Sequence, residues 1–233
     1  GKLEAASGKT ITEDDIRAAI SLFNKIRRKL AAIFAFNVQH PGVISANDLY
    51  TLVKGTMIMD RKKAFDLLSE IASDLEKQDY SGQKEAKRIL LSGSLCDIPG
   101  IFNSIEEAGG VVVGDDICSG SRWFDRTIDE DEEPLHAIAS RYLKRINCPA
   151  KHSGILSRSE TLISQVRKNR ADGVLFLFLK FCDPHAFDYP YLEEALEKEG
   201  IKSMKYEISE TGGDQQQGQG QFSTRIETFI QML

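Results

Sequence analysis

Apolar residues in the first third of the chain recur at helical spacing. Ile16, Ile20, Phe23, Leu30 and Phe34 form one stripe, with Thr12 and Asp15 near capping-box spacing ahead of it. The proline-containing segment from Asn37 to Gly42 ends that pattern. Ser45 with Asp48 predicts an N-cap and a short helix through Val53. A third helix is expected from Asp60, with Ala64, Leu67, Leu68, Ile71 and Leu75 on one face. The polar run from Lys77 to Gln83, with its Ser-Gly pair, reads as the boundary of a helical region over residues 1–83.

Beyond that boundary the period changes. "RILLSGS", "GVVVGDD", "GVLFLFL" and "IKSMKYEI" are short apolar runs that predict four strands. Helices are expected between them over Ile98 to Ala108, Pro134 to Arg145, Ser159 to Lys168 and Tyr191 to Lys198, and from Thr224 to Leu233 at the end. Thr224 and Glu227 have capping-box spacing. Near-continuous apolar strands alternating with helices mean a parallel sheet covered on both faces. The expected fold is therefore α/β: a helical region, then a doubly wound, four-stranded parallel sheet of flavodoxin or Rossmann type over residues 84–233.

Composition adds limits. A chain of 233 residues with 41% apolar and 28% charged residues is that of an ordinary globular protein with a real core. The longest apolar run falls far short of the roughly 20 residues of a membrane span. A net charge of −5 without a basic stripe argues against general nucleic-acid binding. No export signal is visible, so the expected location is the cytoplasm, and the widely spaced Cys96, Cys118, Cys148 and Cys182 do not read as a disulfide framework.

Three of those cysteines share a place. Cys96 follows "LLSGSL", Cys118 follows "VVVGDDI" and Cys182 follows "LFLFLKF", each just past the C-terminal end of a predicted strand. That edge of an open α/β sheet is where ligands bind. Converging thiolates suit an iron–sulfur cluster; zinc usually shows close ligand pairs, which are missing here; a Cys–His pair is a third option, because His185 lies three residues beyond Cys182. Cys148 is off the pattern and reads as structural, and His152 and His185 as loop histidines. Arg122, in "SGSRWF" with Ser119 and Ser121, suits a phosphate or carboxylate, or is a plain surface arginine. Asp115 and Asp116 orient a ligand or cap the turn. "GGDQQQGQGQFSTR" is either an anion-binding loop at a helix N-terminus or a flexible surface loop. The acidic "DEDEE", Asp129 to Glu133, reads as a solvated loop.

With these residues in place, the chain resembles the 2-hydroxyacyl-CoA dehydratase/benzoyl-CoA reductase family of iron–sulfur proteins, of the 2-hydroxyglutaryl-CoA dehydratase D-component type. The resemblance rests on "GGVVVGDDICSGSRWF", "DGVLFLFLKFCDPHAFDYPYLEEALEKEGI", "GQFSTRIETFIQML" and the helical "ITEDDIRAAISLFNKIRRKL", in the family's order and over most of the chain. Family members are usually longer and begin with another α/β domain, so the chain looks like the C-terminal portion of a subunit.

The resemblance implies a [4Fe–4S] cluster with three cysteine ligands and an open iron position. It also implies a paralogous partner subunit in a heterodimer and an ATP-hydrolysing iron–sulfur activator that delivers one electron. In the dehydratases the acyl-CoA substrate then loses water through a ketyl radical; in the reductases an aromatic ring is reduced. Cys182, in "KFCDP", is the implied cluster ligand, Cys118 stands at the cluster edge, and Cys96 matches loosely. Ser119 and Arg122 are the implied catalytic groups, with Ser121, Lys180 and Gln221 touching substrate. The aromatics Phe187, Tyr189 and Tyr191 would exclude water or simply pack. Without the first domain the cluster is expected to be incomplete and the chain to purify with little iron. The alternatives are a benzoyl-CoA reductase-type subunit, a single-chain low-potential iron–sulfur reductase and a non-catalytic partner subunit.

Overall fold

The computed structural model describes residues 1–77, 80, 85–95, 99–145, 148, 155–208 and 215–233. A short helix α1 (Lys2–Ser7) precedes the long α2 (Glu13–Gln39), whose capping box is the expected one: Thr12 accepts from the Asp15 amide and Asp15 from the Thr12 amide. Ser45 caps α3 (Ala46–Ile58) and Asp60 caps α4 (Arg61–Glu76). The helix expected to end at Val53, α3, runs five residues past it, to Ile58. Thr56 back-bonds to the Val53 carbonyl and accepts from the Trp123 indole, so this last turn is pinned to the rest of the molecule. Ile26, Leu30, Leu49, Val53 and Leu68 close a core among α2, α3 and α4. The expected boundary from Lys77 to Gln83 lies mostly outside the described residues.

The second part contains β1 (Lys87–Gly93), α5 (Pro99–Glu107), β2 (Gly110–Asp116), α6 (Ser121–Phe124), α7 (Pro134–Lys144) and α8 (Ile155–Asn169). It continues through β3 (Gly173–Leu179), α9 (Asp183–Lys198), β4 (Lys202–Ile208) and α10 (Gln215–Met232). The four strands form one parallel sheet in the order β2-β1-β3-β4, the doubly wound α/β architecture read from the sequence. Two separate apolar clusters cover it. Leu91, Leu175 and Leu177 pack with α5 and α10 on one face, while Leu90, Val174 and Phe176 pack with α8 and α9 on the other. Alternation of β3 side chains between two buried faces is why "GVLFLFL" is apolar throughout. Ala46 and Tyr50 of α3 join the α5 face, and Asn37 of α2 donates to the Val112 carbonyl on the free edge of β2.

Three helices start earlier than their periodicity predicts. α8 begins at Ile155 rather than Ser159. α9 begins at Asp183 rather than Tyr191: Asp183-Pro184 is its first turn, where proline forfeits an amide that has no helical partner anyway. Pro190 sits inside α9 at an exposed position, so the bond it removes faces water. α10 begins at Gln215, which places Thr224 inside the helix with its hydroxyl on the Gly220 carbonyl, so the Thr224–Glu227 capping box does not form. Burial of Phe222 with Ile226, Phe229 and Ile230 at helical spacing carries the helix back through the glycines. The acidic segment is also not simply solvated. Glu130 accepts from Asn24, Glu133 caps α7, and Asn24 exchanges two bonds with the Ile128 backbone.

Candidate functional site

In the order β2-β1-β3-β4 the chain steps one way from β1 to β2 and the other way to β3, so the crevice at the strand ends opens between β1 and β3. Ser94, just past β1, stands in it and is 4% exposed. Its carbonyl accepts from the Cys118 amide at 3.0 Å and its hydroxyl accepts from the Leu179 amide at 2.9 Å. One serine therefore ties the thiol-bearing ends of β2 and β3 together. Gly93 is required before it: φ is +147°, and a Cβ there would collide with the Leu177 carbonyl oxygen and lie 2.7 Å from the carbonyl carbon.

The turn after β2 is built on Asp115. Its buried carboxylate accepts from Tyr50 Oη at 3.0 Å and from the amides of Ser121 at 2.8 Å and Ile117 at 3.2 Å, while Ser121 Oγ donates to the Asp115 carbonyl. Burial raises the Asp115 pKa against those bonds. Gly120 leaves the space this needs, since a Cβ there would lie 2.7 Å from the carboxylate carbon. Asp115 is thus a turn-former, and Ser121 spends its hydroxyl on the same turn.

Asp116 faces the thiol edge. Arg122 Nε donates to it at 2.8 Å, and Arg158 Nη2 lies 3.8 Å from its other oxygen. Arg158 Nε in turn meets Asp188 of α9 at 2.8 Å. Arg122 is 4% exposed, so it is no surface arginine. Burial opposes its charge, but Asp116 outweighs burial and holds its pKa above the ordinary value. Arg122 Nη1 donates to Cys118 Sγ at 3.3 Å. Burial pushes the Cys118 thiol up while Arg122 opposes it, and Cys148 is close enough to add to the rise. The sequence set Cys148 aside; the structure makes it a neighbour of Cys118.

Cys182 is the N-cap residue of α9, half-buried, and its side chain makes no capping bond. It lines a pocket of about 280 Å³ with Lys180, Phe181, Tyr189 and Lys205. Lys180 is exposed, with its amide on the Ile208 carbonyl. Phe181 has φ of +68° and is 96% exposed. Phe187 and Tyr191 are exposed as well, whereas Tyr189 packs edge-on against Phe176 and Phe178. Ser119, next to Cys118 in sequence, is buried, and Gln221 is exposed on α10. Cys96 and His152 lie outside the described residues. Among the described residues no three His, Cys, Asp or Glu side chains are poised together for a metal.

His185 is a buried helix residue rather than a loop histidine. Its ring lies against Phe178, and burial, with Arg122 and Arg158 adding, lowers its pKa to about 3. It is a neutral imidazole at any ordinary pH. Unfolded histidine titrates near 6.5, so between about 6.5 and about 3 the unfolded chain binds the extra proton and stability falls as pH falls. Urea unfolding at pH 7 and pH 4.5 is expected to lose less stability in His185→Gln than in the parent. The difference should approach ~1.4 kcal/mol per pH unit across that window; equal losses would show that His185 does not titrate this way.

The geometry is thus two free thiols on one sheet edge, one of them bonded by a buried arginine. The model of the family described as 2-hydroxyglutaryl-CoA dehydratase, D-component, matches residues 1–233. The chain belongs to this family. It is 27% identical over its whole length to the (R)-phenyllactyl-CoA dehydratase beta subunit of Clostridium sporogenes, covering 60% of that protein. It is also 27% identical to the (R)-2-hydroxyglutaryl-CoA dehydratase subunit beta of Acidaminococcus fermentans, covering 61%. Over 92% of its length it is 25% identical to a benzoyl-CoA reductase subunit of Thauera aromatica, covering 56%. The chain therefore spans about 60% of the length of the curated relatives it matches. Within the family's frame, sequence reading missed Ser94 and Arg158. A lone serine in "SGS" and an arginine in "SRSE" carry no spacing signal, and their partners are distant in the chain.

Proposed function

We propose that this chain is a subunit of a 2-hydroxyacyl-CoA dehydratase that works with an iron–sulfur cluster, a paralogous partner subunit and an ATP-hydrolysing activator. Its similarity to the beta subunits of (R)-phenyllactyl-CoA and (R)-2-hydroxyglutaryl-CoA dehydratases supports a CoA thioester as the substrate class and a companion chain. The observation that carries the reading is Cys182: a free, half-buried thiol held by a rigid strand and a helix start, with a pocket in front of it. The donor chemistry fits in part. Cys182 and Cys118 would hold or border the cluster, with the free Cys148 as a neighbour of Cys118. Bound there, the cluster would supply one low-potential electron and a Lewis-acidic iron, by which a 2-hydroxyacyl thioester loses water through a ketyl radical.

The chain's own residues have definable parts in this. Arg122 gives an N–H to the Cys118 sulfur and places a buried positive charge beside the cluster site. Ser94 fixes the spacing of the two thiol loops. Exposed Lys180 next to Cys182 is available to an anionic group of the substrate.

The test is iron and acid-labile sulfide content of the full-length protein purified without oxygen, beside Cys182→Ser. Iron present in the parent and at least halved in the variant is the expected result. Iron absent from both, or retained unchanged in Cys182→Ser, would make the thiol a packing residue and leave the chain a structural partner.

A further inference from the structure

A second concave feature lies away from the thiol pocket. A cleft of about 660 Å³ runs along the free edge of β2, between α2 and the C-terminal half of α8. Phe34, Ala35 and Val38 of α2, Val113 of β2 and Phe124 of α6 give it an apolar floor. Where the strands begin, it carries Arg88, Lys168 and Arg170; where they finish, it carries Ser121, Asp125 and Arg126. Asp115 also borders it, but that carboxylate is turned to Tyr50 and to the turn amides. Four cations thus line the cleft with the carboxyl groups of Asp115 and Asp125, and Asp172 stands beside Arg88, whose amide donates to it.

The cations are held in place at some cost. Arg170 follows α8 at the position where glycine is favoured: φ is +50°, and the Arg170 and Ala171 amides bond back to Arg167 and Val166. Arg126, with φ of +57°, is likewise left-handed. Two of the three described non-glycine residues with positive φ are therefore arginines on this cleft. Arg88 is fixed by the carbonyls of Val38, Asn169 and Arg170. Burial, then the charge of Arg170, lowers its pKa against the opposing charge of Asp172, so the two guanidinium groups share one end of the cleft. Gln165, also on the wall, has a buried amide oxygen with no hydrogen-bond partner among the described residues. It can accept an N–H or O–H. Two neighbouring cations, an unfilled acceptor and an apolar trough suit a ligand with phosphates, a base and a flexible chain.

We propose that this cleft binds the phosphorylated adenosine arm of a coenzyme A thioester, with phosphates at Arg88, Lys168 and Arg170 and the pantetheine chain along the apolar floor toward Ser121. The proposal rests on reading the chain as an acyl-CoA enzyme subunit. A seven-residue strand spans about 20 Å, which suits an extended CoA arm. The arm would then enter at the beginnings of the strands and deliver its thioester to the edge where the thiols stand.

The test titrates the full chain calorimetrically with CoA, adenosine 3′,5′-bisphosphate, ATP and inorganic phosphate, in the parent, Arg170→Gly and Lys168→Ala. Arg170→Gly removes a charge while giving the backbone the residue its φ prefers, so folding is not at risk. CoA is expected to bind the parent and to weaken by about tenfold or more in each variant, with adenosine 3′,5′-bisphosphate losing the same factor. Failure of CoA to bind the parent, or binding unchanged in both variants, overturns the proposal. ATP binding as tightly as CoA, with the same loss in Arg170→Gly, overturns the CoA assignment in favour of a free nucleotide. Neither substitution touches a thiol, so the iron content that judges the proposed function is expected to be unchanged and is read separately.

Discussion

Gly93→Ala is expected to destabilise the chain by about 4 kcal/mol or more, a large share of the roughly 5–15 kcal/mol that holds a domain folded. The reason is local and severe. The added methyl would enter the space of the Leu177 carbonyl, which is backbone of the neighbouring strand and accepts from the Ser94 amide. Relief requires β1 and β3 to part where their ends position the crevice. Gly200→Ala is the control. That residue has φ of +68° but nothing near its would-be Cβ, so only the conformational cost of about 1–2 kcal/mol applies. Thermal unfolding followed by circular dichroism separates the two. Equal losses at both positions would mean that the collision is relieved cheaply and that the β1–β3 ends are soft.

The second large effect is expected at Asp116. This carboxylate is 5% exposed and lies between two arginines that are themselves about as buried. Asp116→Leu leaves Arg122 with a buried charge and no carboxylate beside it, at a cost of about 3–5 kcal/mol. Arg158 keeps Asp188, so its share of the loss is smaller. The double variant Asp116→Leu/Arg122→Met removes both the anion and the cation it served. It should recover most of the loss in a urea-unfolding cycle at neutral pH. A single variant within 1 kcal/mol of the parent, or a double variant no better than the single, would mean that the pair is already solvated.

Much of the fold was legible because its signals are local. Thr12, Ser45 and Asp60 cap helices by short-range bonds that spacing reveals, and β2 and β3 are buried on both faces, so their apolar runs admit no other reading. The start of α9 at Asp183 rather than Tyr191 was not legible, since an Asp-Pro pair closes a turn as readily as it opens a helix; burial of Leu192 and Leu196 against β3, a tertiary effect, decides for the helix. The Gln- and Gly-rich start of α10 was misread for the same reason. Weak propensity was overridden by the packing of Phe222.

The site divides along the same line. The thiols were found because strand ends can be located from sequence. The Asp116–Arg158–Asp188 chain and the β2-edge cleft were not, because each is assembled from segments whose proximity only the topology creates.

The serine between the thiol loops also bears on how the protein ages in air. β2 and β3 are separated by β1, two strand spacings or about 10 Å, and Ser94 stands between them, bonded to the Cys118 amide and the Leu179 amide. A disulfide needs its two α-carbons within about 7 Å. A bond between Cys118 and Cys182 would require the loops past β2 and β3 to close that gap, whereas Cys148 already neighbours Cys118. Damage at this edge would take the form of a Cys118–Cys148 disulfide or of individually oxidised sulfurs, which a thiol reductant reverses at the disulfide and sulfenic stages and not beyond.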